Sequence, residues 1–255
     1  MSNYNYKLYG AILGDIAGSI YEFSRIKPTD SFNIHDPEGH ITDDALLTIA
    51  LADAINKGAD YTESIKWWAK EYDQDEDNKI GWGNNFSQWI YSDPGTVNDS
   101  WGNGCIMRVS PFFWTDDLSG AFDSLKGSHY HVKSFQAVAS LWYMYHAPTK
   151  IGIPIIYDDL ESRFKFDVSA LGTIDQLTHM FEIPYDVTNS LEEIIEYVVR
   201  KGGDCDTNAS IFGELVNYRR SRATQSTLSQ DSIEYVRSKL DKEQLEVLDK
   251  FNKID

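Results

Sequence analysis

With 255 residues, of which 42% are hydrophobic and 25% charged, the chain has the composition of a folded globular protein large enough to bury one substantial core. Its formal charge of −17 argues against a general electrostatic grip on nucleic acid or on an anionic membrane surface. Cys105 and Cys205 are too few for a disulfide framework, and the sequence shows neither a signal-peptide core nor a membrane-length apolar run, so a cytoplasmic protein is expected.

The first predicted helix covers residues 8–23 and sets Gly10, Gly14, Gly18 and Glu22 on one i, i+4 row, with Asp15 returning to nearly the same face as Glu22. Glycine inside a helix costs about 1 kcal/mol relative to alanine, so three in register imply a second backbone packed against that row. A polar connection with Pro28, Pro37 and Gly39 follows over 24–41. Thr42 then reads as the N-cap of a helix that turns Leu47, Ala50, Leu51 and Ala54 inward until Gly58, with Asp43 and Asp44 in its first turn. Another helix over 62–72 leads into an acidic run over 73–77, which reads as a solvated turn.

Residues 80–104 mix glycine with Trp and Asn. Within them Ser100, Trp101, Gly102, Asn103 and Gly104 offer backbone donors, a hydroxyl, an amide and a flat indole. Such a loop can hold a phosphate or ribose and stack a base, although an indole here fits a core position equally well. Helices are predicted over 117–126 and 129–146. His129 and His131 are spaced i, i+2 and cannot share a helical face, which favours a cap, a substrate contact or packing over a transition-metal pair. Pro148, Pro154 and Gly172 break any long element over 148–175.

Ser190 and Glu193 have the form of a capping box at the start of a helix that Gly202 stops. Gly203, Asp204, Cys205, Asp206, Thr207 and Asn208 follow as a tight acidic turn, and an apolar stripe resumes over 209–219. Two amphipathic helices, 231–240 and 242–251, end the sequence. No sustained alternation is present. The expected fold is all-α, a single compact multi-helix domain over residues 1–255.

Two bends share a composition: Thr42-Asp43-Asp44 and Asp204-Cys205-Asp206-Thr207. Either alone is explained by N-caps and first-turn charges. Together they pair carboxylates and hydroxyls as hard divalent cations require, since crowded carboxylates repel unless cations or donors hold them. The shared composition predicts one polynuclear site.

In order and approximate spacing, Gly14-Asp15 with Gly18 and Glu22, Thr42-Asp43-Asp44, residues 100–104 with Met107-Arg108, and Gly203-Asp204-Cys205-Asp206-Thr207 resemble the ADP-ribosylglycohydrolase family. Ser128-His129 and Phe166-Asp167-Val168-Ser169 with Gly172-Thr173 agree more weakly. The resemblance covers nearly the whole chain. It implies an all-α domain with a central cleft holding two divalent cations, Mg²⁺ or Mn²⁺. By position, it makes Thr42, Asp43, Asp44, Asp204, Asp206 and Thr207 metal ligands. It places Glu22 beside the metals and the ribose, wraps the diphosphate in Ser100, Trp101, Gly102, Asn103 and Gly104, and brings His129 near the ligand. The chain departs from the family pattern at Ala45 (commonly Thr), Cys205 (commonly Ser), Trp101 (often Tyr) and Val132-Lys133 (usually Pro-Glu).

The expected reaction is hydrolysis of the bond between ADP-ribose and an acceptor: an arginine or serine side chain, nucleic acid or a small molecule. Cleavage builds oxocarbenium character at the ribose, and a carboxylate must move a proton to or from water or leaving group. Glu22, Asp43, Asp44 and Asp204 are the candidates. The alternatives are a family member that binds ADP-ribose without turnover and a metal-dependent phosphoester hydrolase. With no heptad or long apolar seam, a monomer is expected.

Overall fold

The computed structural model describes residues 6–23, 31–73, 80–146, 164–182, 189–223 and 228–254; the side chains of residues 181 and 182 lie outside that description. Part of the predicted 24–41 connection, most of the acidic run and residues 148–163 also lie outside it.

The described residues form helices and no strands, so the all-α expectation holds. In chain order they are α1 (Tyr9–Ser19), α2 (Asp43–Lys57), α3 (Tyr61–Asp73), α4 (Asn84–Ile90), α5 (Ser110–Trp114), α6 (Leu118–Asp123) and α7 (Val132–His146). Then follow α8 (Ala170–Glu182), α9 (Leu191–Lys201), α10 (Cys205–Arg222), α11 (Gln230–Lys239) and α12 (Lys242–Phe251). A 3₁₀ turn, Asn103–Cys105, interrupts the chain before α5.

The centre of the fold is the pairing of α1 with α10. Every residue of α1 is buried, as is α10 continuously from Cys205 to Tyr218, so neither helix needs a polar face. The glycine row explains how close they come. A Cβ on Gly14 would stand 2.1 Å from the Ala209 carbonyl oxygen, and one on Gly18 would stand 2.3 Å from the Asp206 Cα. At the other end Gly10 and Gly213 face each other's carbonyl oxygens. Glu214, buried in α10, accepts from the backbone N–H groups of Leu8 and Ala11 at 3.0 and 2.9 Å and thereby caps α1 from a distance. The indole of Trp114 also donates to it, at 2.6 Å.

Three predicted boundaries differ. The first helix stops at Ser19, where the N–H of Ile20 turns back to Gly18, so Glu22 sits in the turn beyond it and not on a helical row. The acidic turn is shorter than its sequence suggests, because α10 has begun by Cys205: Asp204 is its N-cap and Asp206 and Thr207 lie in its first turn. The histidine-rich helix begins only at Val132, and His129 instead makes an isolated antiparallel bridge with Asp99.

Candidate metal centre and ligand cleft

The site is built where the starts of α2 and α10 meet beside α1. The N-terminus of α2 is held by Asp15 of α1, which accepts from the Thr42 N–H at 2.9 Å, the Thr42 hydroxyl at 2.5 Å and the Ala45 N–H at 3.2 Å. This fixes Asp43 and Asp44 relative to α1. The glycine contact at Gly18 fixes Asp206 relative to the same helix. Gly202 and Gly203, both with positive φ, turn the chain from α9 into α10 so that Asp204 points the same way. Cys205 is buried behind the bend, with its thiol 3.6 Å from the Gly18 carbonyl, which it can donate to as a serine hydroxyl would.

Asp15, Asp44 and Asp206, all buried, offer oxygens within 4.8 Å of one another, and so do Glu22, Asp204 and Asp206. The two groups share Asp206. Thr207 donates its hydroxyl to Asp44 Oδ2 at 3.0 Å, and the Asn103 amide donates to Asp204 Oδ2 at 2.6 Å. Asp44 Oδ1 and Asp206 Oδ1 are buried and accept no hydrogen bond. Unpaired buried carboxylate oxygens are costly, and hard cations would satisfy them.

The electrostatics agree. Burial is the largest cause in each case, with neighbouring carboxylates adding to most of the shifts. Asp15 is raised to about 6, Glu22 to about 7 and Asp43 to about 8. Asp204 is raised, and Asp44 and Asp206 lie well above the ordinary carboxylate range. Protons or cations must therefore balance this charge.

The acid cluster opens into a cleft of about 410 Å³ whose lining includes Glu22, Asp43, Asp44, Asp204, Asp206 and Thr207. Ser100, Gly102, Asn103, Gly104, Arg108 and His129 line it as well, with Phe86 and Val168 also at its wall. The loop is pinned, because Asn103 N–H donates to Val168 O and Ala170 N–H to Trp101 O. Trp101 is not part of this lining: its side chain is 45% exposed, with the Lys133 ammonium 3.9 Å from its ring centroid. It is thus not a core residue. Thr42 is adjacent to the cluster, but its hydroxyl is engaged with Asp15. Sequence reasoning named Asp15 only as a flanking acid and missed Phe86. The available signal for Asp15 was its place directly after Gly14, beside the close-packed row.

The model of the ADP-ribosylglycohydrolase family matches residues 7–163, more than half of the chain. This chain belongs to the ADP-ribosylglycohydrolase family. The match ends before Asp204, so the second acidic bend joins the first through the fold. One similar solved structure, described as an ADP-ribosylglycohydrolase-related protein complex, covers 99% of this chain and 98% of its own with a TM-score of 0.64. At 16% identity that likeness supports the fold. Among curated proteins no match was found by sequence. Family membership makes the protein an ADP-ribosylglycohydrolase-type hydrolase.

Proposed function

We propose that this ADP-ribosylglycohydrolase relative hydrolyses the bond between the anomeric carbon of ADP-ribose and its acceptor, using two divalent cations, Mg²⁺ or Mn²⁺, at the acid cluster. The observation that carries the reading is the meeting of Asp15, Asp44 and Asp206, brought by three separate helices to one buried point. The donor set is all oxygen, and Asp44 Oδ1 and Asp206 Oδ1 have no other partner. Asp44, Asp204 and Asp206 would hold the cations, with Thr42, Asp43 and Thr207 around them. Bound there, the cations supply Lewis acidity that fixes ribose hydroxyls and makes a water more acidic.

The chain's own residues supply the rest. Asn103 orients Asp204 through its amide, and Asp15 holds the start of α2 in place. Glu22, half-buried at the edge of the cluster, moves the proton between water and leaving group. Ser100, Gly102, Asn103 and Gly104 receive the diphosphate, and the exposed ring of Trp101, beside them in the chain but outside the lining, stacks the base. The acceptor is a protein side chain, a nucleic acid or a small molecule. The catalytic unit is the whole chain acting as a monomer.

The deciding experiment incubates the protein with ADP-ribosylated arginine, serine and nucleic acid, with and without Mg²⁺ or Mn²⁺, and identifies the product. Free ADP-ribose formed only with metal is expected. Asp44→Asn and Asp206→Asn should each weaken Mn²⁺ binding more than about tenfold and abolish release. AMP or phosphate as product would make the protein a phosphoester hydrolase instead, and binding without product would make it a non-catalytic member.

A further inference from the structure

In the lining of the same cleft Arg108 is completely buried, and among the described residues no carboxylate forms an ion pair with it, although Asp43 is near enough to favour its charge. Its Nη2 donates to the Ser128 hydroxyl at 2.6 Å and lies 3.4 Å from His129 Nδ1. Ser128 Oγ is itself 2.9 Å from that nitrogen. A guanidinium has donors only, so the ring nitrogen turned toward it is best placed as an acceptor. The serine hydroxyl accepts from Arg108 and has its own proton left for Nδ1. An Nδ1–H ring would aim its proton at a cation and turn its lone pair to the cleft.

The opposite edge of the ring is open. Gly104 and Gly102 face it, and a Cβ on either would stand 3.3 or 3.9 Å from His129 Nε2. Among the described residues Nε2 has no hydrogen-bond partner, while the His129 backbone N–H is anchored to Leu125 O at 2.9 Å. Burial and the neighbouring Arg108 hold the ring's pKa well below the ordinary histidine value. Arg108 Nε and Nη1 are buried without hydrogen-bond partners, and the guanidinium lies over the Phe86 ring and is balanced only at a distance by Asp43, which leaves positive potential at this end.

We propose that Arg108 and Ser128 are positioning residues that fix His129 as the neutral Nε2–H tautomer, a standing hydrogen-bond donor for an anionic ligand oxygen and not a proton carrier. The identity of that oxygen, a phosphate of ADP-ribose, rests on the function proposed above; the tautomer does not.

Histidine-labelled full-length protein at pH 7.5 tests the first point by ¹⁵N NMR. The expected His129 signals are an Nδ1 without a proton and an Nε2 carrying one, with Ser128→Ala and Arg108→Lys moving the ring toward a tautomer mixture. Calorimetry with ADP-ribose tests the second. His129→Phe should bind about tenfold more weakly, and His129→Gln, which keeps an amide donor, should recover most of the loss. An Nδ1–H signal in the unaltered protein overturns the proposal even if Arg108→Lys fails to fold, and so does undiminished binding in His129→Phe. An Nε2–H signal in a protein that gives no heat with ADP-ribose supports the tautomer lock and rejects ADP-ribose as the ligand.

Discussion

Asp206 meets two demands. Its Cα lies where Gly18 permits close approach, and its carboxylate belongs to both acid groups. Glu22 differs, being half-buried in a turn and raised to about 7 by burial, then by Asp204 and Asp15. As the proton carrier, Glu22→Gln should reduce turnover by about 100-fold or more while Mn²⁺ affinity, followed by titration, stays within about threefold. A loss of Mn²⁺ binding as large as that in Asp206→Asn would reassign it as a ligand. Trp101 carries a different expectation, because one side of its ring already faces Lys133 and nearly half the side chain is exposed. Trp101→Ala should weaken ADP-ribose binding about tenfold and Trp101→Tyr much less, as measured by fluorescence or calorimetry. The acids themselves were legible in sequence because they occur in local clusters. The three hydrogen bonds from Thr42 and Ala45 to Asp15 were not, since they join residues 27 and 30 positions apart.

At the scale of elements, the close row of α1 is the feature local pattern revealed best. Three glycines at i, i+4 have few uses besides backbone approach, and the structure supplies Ala209, Asp206 and Gly213 as the surfaces approached. The boundaries were read less well. Continuation of an i, i+4 row to Glu22 is compatible with a helix, yet the chain leaves it at Ser19. The short α4 and α5 offered too few turns for a period to be recognised, and Gly172, read in the sequence as a breaker, instead lies in the first turn of α8, where a Cβ would meet the Asp167 carboxylate. Gly18→Ala gives the sharpest test at this scale. Its new methyl meets backbone, not a flexible side chain, so α1 and α10 must separate. The expected cost is about 1–3 kcal/mol of stability, together with weaker Mn²⁺ binding from displacement of Asp206. Unchanged melting and unchanged titration would mean that the helices tolerate a wider spacing.

For the whole molecule, burial of like charges makes stability depend on pH and metal together. Asp15, Glu22 and Asp43 have folded-state values near 6, 7 and 8, above their ordinary ones, so without cations the folded protein binds more protons than the unfolded chain. The contribution of these groups is present at acid pH and is lost as pH rises from about 4 through 8. Cations need the ionised forms and should restore stability over that same window. Differential scanning calorimetry in EDTA should therefore show the melting temperature falling between pH 5 and pH 8. Millimolar Mn²⁺ should raise it by on the order of 5 °C at pH 8 and far less at pH 5. An equal shift at both pH values would count against the acid cluster as the binding site. The overall charge of −17 acts in the same direction at high pH, but it is spread over the molecule and a few added cations change it little.

The contact between Cys205 and Gly18 joins positions 187 residues apart, and the helices it belongs to are the most completely buried in the described fold. During synthesis the apolar N-terminal segment thus emerges long before its counterpart is made. It must wait, its apolar side chains uncovered, until α10 has been made, which marks it as a stretch that a chaperone would shelter and where an unfinished polypeptide would begin to clump.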